Sequence, residues 1–150
     1  MTKEVSIIDL VKVIRSKNAG PFELTFDIIF KDKETYEKVK KAKVITKELI
    51  AKLYHIPIDK VLYFVEFDPA NAIKATIVRP VDSGSIGETD VYGAQQHAPL
   101  LGIKMATIQD FINNRHKYKV DATYQRPVGA WSTQDNTYIL KYLSISSQLL

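Results

Sequence analysis

Two glycine-bearing stretches of the chain hold most of the side chains that could recognise a ligand or transfer a proton. The longer stretch, residues 83–99, reads SGSIGETDVYGAQQHAP, and the shorter, residues 15–21, reads RSKNAGP. No helix or strand period runs through the longer stretch, and an ordinary connector would consist mainly of Gly, Ser, Asn and Asp. We therefore predict that the two stretches are loops that together form one polar site.

The shorter stretch has the composition of an anion site. Arginine offers a planar fork, lysine a point charge and asparagine a neutral donor, a set that suits a carboxylate or a phosphate. The predicted ligand-binding residues here are Arg15, Ser16, Lys17 and Asn18. Arg79, which precedes Pro80 at the predicted end of a strand, is a second candidate anion ligand. The alternative is structural: cations placed against a helix dipole, and an exposed arginine at a strand end.

The longer stretch contains candidates for general acid and base chemistry in Asp90, Tyr92 and His97. Histidine titrates near neutrality, and a neighbouring carboxylate can orient it. The adjacent Gln95 and Gln96 can both donate and accept hydrogen bonds, so we assign them to ligand binding rather than to proton transfer. The alternative is that Asp90 caps a turn and His97 packs against the fold. Spacing alone leaves open whether the chain is an enzyme.

Composition argues against several kinds of site. The 150 residues include no cysteine, which removes disulfides, thiolate metal ligands and cysteine nucleophiles. The three histidines are scattered along the chain, so we predict no metal site. The glycines at positions 84, 87 and 93 fit neither a phosphate-binding loop nor a dinucleotide fingerprint, so we predict no cofactor.

Charge and hydropathy bound the partners of the chain. The net charge of +4 comes from 21 basic and 17 acidic residues that are interspersed, which does not indicate a nucleic-acid partner. No apolar run is long enough to span a membrane, and the opening MTKEVS has no signal-peptide pattern. With 45% apolar and 25% charged residues, we expect a soluble, cytoplasmic globular protein without a membrane partner.

Hydrophobic periodicity and capping residues predict the elements that position these loops. The predicted helices are Ser6–Arg15, a helix after the N-cap Asp32, a helix from Thr46 to Pro57, and a short helix from Thr89 or Asp90 through Gln96. The predicted strands are Phe22–Phe30, Val61–Phe67, Ile73–Val78 and Leu100–Met105. From the first of these strands onward, the order is the split βαβ pattern of a ferredoxin-like α+β sandwich.

The character of the sequence changes after Gly102. A helix is predicted from Thr107, a strand at Tyr118–Tyr124, and a final helix that begins at a capping-box-like STQD and carries Ile139 and Leu140. We therefore divide the chain into a domain at residues 1–105 and a small α/β appendage at residues 106–150. Met105 resembles the start of a different reading frame.

The larger part resembles a family of small proteins associated with AtuA, the acyclic-terpene-utilisation protein. The motifs that carry the resemblance are IRSKNAGPFELTFDIIF, TKELIAKLY, FDPANAIKATIVRP and SGSIGETDVYGAQQHAPLL, which match in order over about residues 5–105. The resemblance implies a ferredoxin-like fold and a role beside a larger AtuA-type subunit. It also implies a place in the catabolism of carboxylic acids or acyl-CoA compounds, without specifying a reaction.

The segment at residues 107–143 looks like the opening of ParB-like, nuclease-related domains of restriction systems. The resemblance is carried by IQDFINNRHKYKVDATYQRPVGAW followed by the predicted capped helix. Such domains continue to an Asp-Gly-Gln-Gln-Arg motif that carries the chemistry, and this sequence ends without it. We therefore expect a truncated domain start without nuclease activity, joined to the first domain by fusion or read-through.

Three functional hypotheses follow. The first is an accessory subunit or domain of an AtuA-like complex that binds, and helps to convert, a carboxylate or acyl-CoA substrate. The second is a stand-alone module that binds a small anion without catalysis, as a monomer or a homo-oligomer. The third is a DNA-associated fragment of a restriction system. The first hypothesis requires a protein partner, and the second requires ligand-induced stabilisation of the isolated chain. The third requires salt-dependent DNA binding.

Overall fold

The computed structural model describes residues 4–107 and 138–140. The helices in this part of the chain are α1 (Ile7–Leu10), α2 (Lys33–Lys41) and α3 (Lys47–Leu53). The strands are β1 (Glu4–Ser6), β2 (Val11–Asn18), β3 (Glu23–Phe30), β4 (Val61–Phe67), β5 (Ala72–Val78), β6 (Lys104–Thr107) and β7 (Tyr138–Leu140). Short 3₁₀ turns occur at Ile58–Lys60, Asp68–Ala70 and Ala98–Gly102. None of the helices described is long and apolar enough to cross a membrane.

The strands form two antiparallel sheets. The larger has the order β2-β3-β5-β4, so β2 and β4 are its edges. Because β5 is antiparallel to both β3 and β4, those two strands run parallel to each other, and α2 and α3 connect them in a split βαβ unit. The smaller sheet has the order β1-β6-β7. The described chain is therefore mixed α/β, which confirms the predicted α+β class at that level.

One face of the larger sheet, the inner face, packs against the helices. Strand β3 begins one residue after the predicted start at Phe22, which is exposed, and it buries Leu24, Phe26, Ile28 and Phe30 on this face. The Phe26 ring stacks on Tyr54, just beyond α3, with centroids 4.5 Å apart, and Phe30 meets Tyr36 of α2 at 5.8 Å. Burying side chains of this size contributes about 1.5–3 kcal/mol each relative to exposure.

Helices α2 and α3 begin directly after Asp32 and Thr46, the residues predicted to start them. Asp32 accepts a hydrogen bond from the Thr35 amide at 2.8 Å, and Thr46 accepts one from the Leu49 amide at 3.1 Å. Each bond pairs an amide that the first turn of a helix leaves without an intrahelical partner. The capping residues thus fixed the starts of both helices, although α3 ends at Leu53, before the predicted limit at Pro57.

The predicted helix at Ser6–Arg15 is wrong beyond its first turn. Helix α1 ends at Leu10, and the chain continues directly into β2, which pairs antiparallel with β3. The apolar residues do recur at helical spacing, but the segment is rich in β-branched side chains, which lose rotamer freedom in a helix and fit a pleated surface. Hydrogen bonding to β3 therefore outweighs the helical period.

Two further predictions near the long loop require correction. The short helix predicted through Gln96 is absent, because residues 89–97 form consecutive turns. The strand predicted at Leu100–Met105 is a 3₁₀ turn followed by β6, which pairs with β1 in the smaller sheet rather than at an edge of the larger one. The observed order therefore lacks the second helix of the predicted pattern, and a strand before β3 supplies the fourth member of the larger sheet.

The appendage is described only in part. The helix predicted from Thr107 and the strand predicted at Tyr118–Tyr124 lie outside the described residues. The prediction of a final helix is wrong at Tyr138–Leu140, because these residues form strand β7, which pairs with β6. Strand β6 itself spans the predicted boundary between residues 105 and 106.

Candidate functional site

Strand β2 divides the four predicted anion ligands between two surfaces. Successive side chains of a strand point to opposite faces of a sheet. Ser16 and Asn18 point to the inner face and bond to the long loop, whereas Arg15 pairs with Asp27 on the other, outer face, which it shares with Lys17. The four residues therefore do not form one site, and the polar network lies between β2 and the loop at residues 79–103.

Ser16 anchors the second half of this loop. Its hydroxyl donates to the Gly93 carbonyl at 2.6 Å and accepts from the Gln96 amide at 3.0 Å. The same oxygen lies 3.5 Å from Nδ1 of His97. Because Ser16 is buried and its hydroxyl already donates and accepts within the protein, it serves the loop conformation directly.

Arg79 is the centre of the network and is only 6% exposed. Its guanidinium makes four hydrogen bonds and an ion pair, all within the protein. The acceptors are the side chains of Asn18 and Glu88 and the carbonyls of Val81, Asp90 and Val91. A guanidinium has five N–H donors. The donors of Arg79 are thus committed to holding the loop, which is a different role from that of an open anion ligand.

Asp90 caps the turn that follows it. Its Oδ1 accepts from the Ala94 amide at 3.1 Å, and its Oδ2 accepts from the Gln95 amide and from Nε2 of Gln96, both at 2.9 Å. The hydrogen bond from the Gln96 side chain, followed by that from the Gln95 amide, holds the pKa of Asp90 below its usual value. An ionised, multiply bonded carboxylate of this kind is suited to capping.

The three residues proposed for acid and base chemistry are not joined to one another. No hydrogen bond connects Asp90, Tyr92 and His97 in the described part of the chain. Tyr92 is largely exposed, and His97 is half-buried with the Ser16 hydroxyl as its nearest polar contact. Gln95 contributes its backbone amide to Asp90, and its side chain lies at the surface. Among the described residues, no carboxylate orients His97.

Three residues of the network were missed by sequence reasoning. Glu88 has a side chain only 4% exposed, and its Oε1 accepts from the Asp90 amide and pairs with Arg79 at 3.0 Å. Gly93 packs so closely that a Cβ atom there would lie 2.5 Å from the Leu24 side chain. Tyr54 donates its hydroxyl to the Gln96 carbonyl at 2.7 Å, and burial raises its pKa. A charged residue in a glycine-rich segment gives no sequence signal of burial.

A cavity of about 160 Å³ adjoins this network. It opens between the first half of the loop and the beginning of β3. Its lining residues are Leu24, Arg79, Pro80, Val81, Gly87, Glu88, Thr89 and Gln96. Among the described residues, no cluster of three or more acidic or histidine side chains could hold a metal ion.

The outer face of the larger sheet is a second candidate surface, and no described helix packs on it. Its residues include Val13, Arg15, Lys17, Thr25, Asp27, Ile29, Tyr63, Val65, Phe67, Ala72, Lys74 and Thr76. Along the edge strand β4, the side chains of Tyr63, Val65 and Phe67 are 64%, 46% and 52% exposed. The centre of the face is polar but satisfied, because Thr76 donates to Thr25, which donates to the Ala75 carbonyl, each at 3.2 Å.

Comparison with known families connects these features. Residues 7–104 match the family described as Domain of unknown function (DUF4387). The chain belongs to the DUF4387 family. The matched residues include the whole larger sheet and the Arg79 network and end at Lys104, the first residue of β6, so the DUF4387 unit contains both candidate surfaces. No curated protein and no solved structure matches the chain. The association with AtuA and the ParB-like segment stay predictions.

Proposed function

We propose that this DUF4387 chain is an accessory subunit or domain that docks on a larger AtuA-type protein. In this proposal the assembly binds, and helps to convert, a carboxylate or acyl-CoA substrate in catabolism. The observation that carries the proposal is the row of exposed apolar side chains on β4, at one edge of the outer face. The Arg79 network supports the proposal less strongly, because the hydrogen-bond donors of Arg79 already bond within the chain.

The apolar row supports a protein partner. Tyr63, Val65 and Phe67 lie on the same side of one strand, and β4 is an edge of its sheet among the described strands. Aromatic side chains are enriched in the centres of protein interfaces, and an unpaired strand edge offers backbone groups to a partner. A contiguous apolar patch of this kind on a soluble domain is typical of an interaction surface.

The polar residues of the outer face favour a different protein over a second copy of this chain. Arg15 and Lys74 both approach Asp27, at 2.8 and 3.7 Å, and Lys17 adds a further cation. Two copies that met through this face would bring these cations together, whereas a partner with acidic groups would complement them. The threonine pair at the centre of the face is already buried and hydrogen-bonded, so a partner that packs there leaves neither hydroxyl unpaired.

The same face offers a place for the anionic substrate. Arg15 and Lys17, predicted as anion ligands, project from it and would line the interface with the larger subunit. Arg15 uses its Nε atom for Asp27, which leaves the two terminal nitrogens of the guanidinium for a ligand. A carboxylate at this place would be enclosed only in the assembly.

The topology is consistent with the ferredoxin-like fold that the resemblance implies. We infer a permuted version of it, since β3, the two helices, β4 and β5 supply one split βαβ unit. Strand β2 occupies the edge beside β3, the position that a strand after the second helix would take in the predicted pattern. In this version the loop at residues 79–103 takes the place of that second helix.

The test is copurification of the tagged chain from its native host, with the partner identified by mass spectrometry. We expect a stoichiometric AtuA-type subunit, and we expect Val65→Glu to lower its recovery by at least about tenfold, because a charge would be buried at the interface. Ile86→Glu is the matched control, since Ile86 is exposed on the loop and away from the sheet face.

The other outcomes identify the competing hypotheses. Recovery of a lone chain whose melting temperature rises with a carboxylate would replace the proposal with the small-molecule module. Salt-dependent DNA binding that disappears on deletion of residues 106–150 would replace it with the restriction-system fragment. Recovery of the AtuA-type subunit unchanged by Val65→Glu would show that docking uses another surface.

A further inference from the structure

We propose that the cavity beside Glu88 is a binding site for a short alkylammonium group. The site lies on the loop side of the sheet and does not depend on the docking proposed for the outer face. Its ligand class is also the opposite of the carboxylate considered above. Three features of the cavity carry the inference: an unpaired buried oxygen, the size and lining of the space, and the local charge.

The first feature is the second oxygen of the Glu88 carboxylate. Oε1 accepts from the Asp90 amide and pairs with Arg79 at 3.0 Å. Oε2 is buried and has no hydrogen-bond partner among the described residues. A buried acceptor without a partner costs about 1–3 kcal/mol, and more when it is charged. Glu88 lines the cavity, so a donor bound there would reach Oε2 after a small rotation of the carboxylate and would remove this cost.

The second feature is the space itself. A cavity of about 160 Å³ is close to the volume of engineered cavities that bind benzene, so the ligand, or the part of it that enters, is small. Leu24, Pro80 and Val81 give one part of the lining an apolar character suited to a short hydrocarbon stem. Thr89 and Gln96 give the other part a polar character, beside Glu88.

The acceptors in the lining match a primary ammonium. Such a group has three N–H donors and no acceptor. Nε2 of Gln96 is bonded to Asp90, so this side chain offers its amide oxygen to a ligand. The hydroxyl of Thr89 can also accept, and Oε2 of Glu88 is a charged acceptor. The lining thus offers as many acceptors as an ammonium has donors.

The third feature is the charge around the cavity. Arg79 and Glu88 form an ion pair and cancel, whereas Asp90, which is bonded to Gln96, adds a negative charge. The donors of Arg79 are engaged by the protein, so an anionic ligand would gain little from it. A cation is therefore favoured over an anion. A free amine and the side chain of a lysine in another protein share this chemistry.

The experiment uses the full chain, with n-butylammonium chloride as the probe and sodium butyrate at the same ionic strength as the control. Amide resonances are followed by NMR during each titration. We expect saturable shifts at Glu88, Thr89 and Gln96 with n-butylammonium, and none at these residues with butyrate. Butyrate binding at the cavity, or the absence of saturable n-butylammonium shifts, would overturn the proposal.

Variants test the role of the carboxylate. Glu88→Gln should weaken n-butylammonium binding by roughly tenfold, because a charge-assisted hydrogen bond is lost. Asp82→Asn is the matched control, since Asp82 is an exposed acid of the same loop that does not line the cavity. Thr89→Val leaves the Glu88 contacts intact and should also weaken binding, which keeps the test valid if Glu88→Gln unfolds the loop.

Two additions separate the sources of the ligand and the two proposals. Binding of Nα-acetyl-lysine amide at the same resonances, more tightly than n-butylammonium, would indicate a lysine of a partner, and the reverse order would indicate a free amine. Unchanged affinity in Glu88→Gln would overturn the site. Val65→Glu should bind n-butylammonium normally, so a failure of docking and a failure of this site are distinguishable.

Discussion

The two faces of strand β2 show how neighbouring residues come to serve different purposes. The side chains of Ser16 and Asn18 point inward, and their described hydrogen bonds go to the loop. Arg15 and Lys17, one residue away in each case, point to the outer face of the sheet. In the sequence these residues form one polar group, whereas in the fold they belong to two surfaces with different partners.

The contrast is sharpest between the two arginines. Arg79 is 6% exposed and makes four hydrogen bonds and an ion pair, whereas the Arg15 side chain is 57% exposed and makes a single ion pair with Asp27. The residue type is the same, yet Arg79 stabilises a loop and Arg15 is available to a partner. The number of intramolecular bonds, more than the presence of a cation, indicates which arginine can bind a ligand.

Replacing Arg79 is expected to have the largest effect on stability. Arg79→Met leaves Glu88 buried without its counter-ion, which should lower the free energy of unfolding by about 3–5 kcal/mol. Arg15→Met removes an exposed pair and should cost less than about 1 kcal/mol. Urea denaturation of both variants measures the difference.

A double variant provides the control for the first prediction. Arg79→Met with Glu88→Gln removes the unpaired charge and should recover part of the loss. Equal destabilisation by Arg79→Met and Arg15→Met would contradict the distinction between the two surfaces.

Replacing Gly93 is expected to have an intermediate effect. Its φ of 65° is left-handed, and a Cβ atom would lie 2.5 Å from Leu24 Cδ1 and 2.6 Å from Asn18 Oδ1. Gly93→Ala should therefore lower the free energy of unfolding by about 2–3 kcal/mol. Gly84 has a φ of 82° but open space around it, so Gly84→Ala should cost only about 1 kcal/mol.

Thermal unfolding of the two glycine variants separates strain from crowding. If both alanine variants lose the same stability, the close approach of the loop to the inner side of β2 does not contribute.

The smallest expected effect concerns the pH dependence contributed by Asp90. Its pKa is lowered in the fold by the hydrogen bonds from Gln96 and Gln95, so the ionised form stabilises the folded chain. This contribution is fully present above the unfolded-state pKa of about 3.9 and is lost as the pH falls through the folded-state pKa. The stability difference between the wild type and Asp90→Ala should therefore be constant near neutrality and shrink in acid.

The stability difference is measured by denaturation curves from neutral pH down to about pH 3, a range that includes the pKa of a typical aspartate. Lys17→Ala is a suitable control because it changes a charge on the outer face and should alter this pH dependence little. A difference between wild type and Asp90→Ala that grows in acid would reverse the sign and contradict the capping role.

The sequence was sufficient for elements whose signals are local. Asp32 and Thr46 mark the starts of α2 and α3 because a cap is made by residues three apart. The alternation of apolar residues in β3 is also a local signal, and it predicted which face of that strand is buried. Strand β2 could not be predicted in this way, because its apolar spacing also fits a helix and its identity depends on pairing with β3.

The candidate site was less predictable than the fold because its bonds are distant in sequence. Ser16 reaches Gly93 and Gln96, and Asn18 reaches Arg79, across more than sixty residues. Residue types indicated that the two polar stretches would meet, and in the structure Ser16 and Asn18 do bond to the loop. They did not indicate that the loop would use most of these groups for its own conformation, nor that Glu88 would be buried.

The pairing of β1 with β6 has a consequence for how this unit is used. Ser6, just before the DUF4387 match begins, lies opposite Lys104, where the match ends, so the two ends of the matched unit lie side by side. A unit with adjacent ends can be inserted into a surface loop of another protein, or fused at either end, with little disturbance to the fold of either protein. Its architecture therefore suits gene fusion and separate expression equally well.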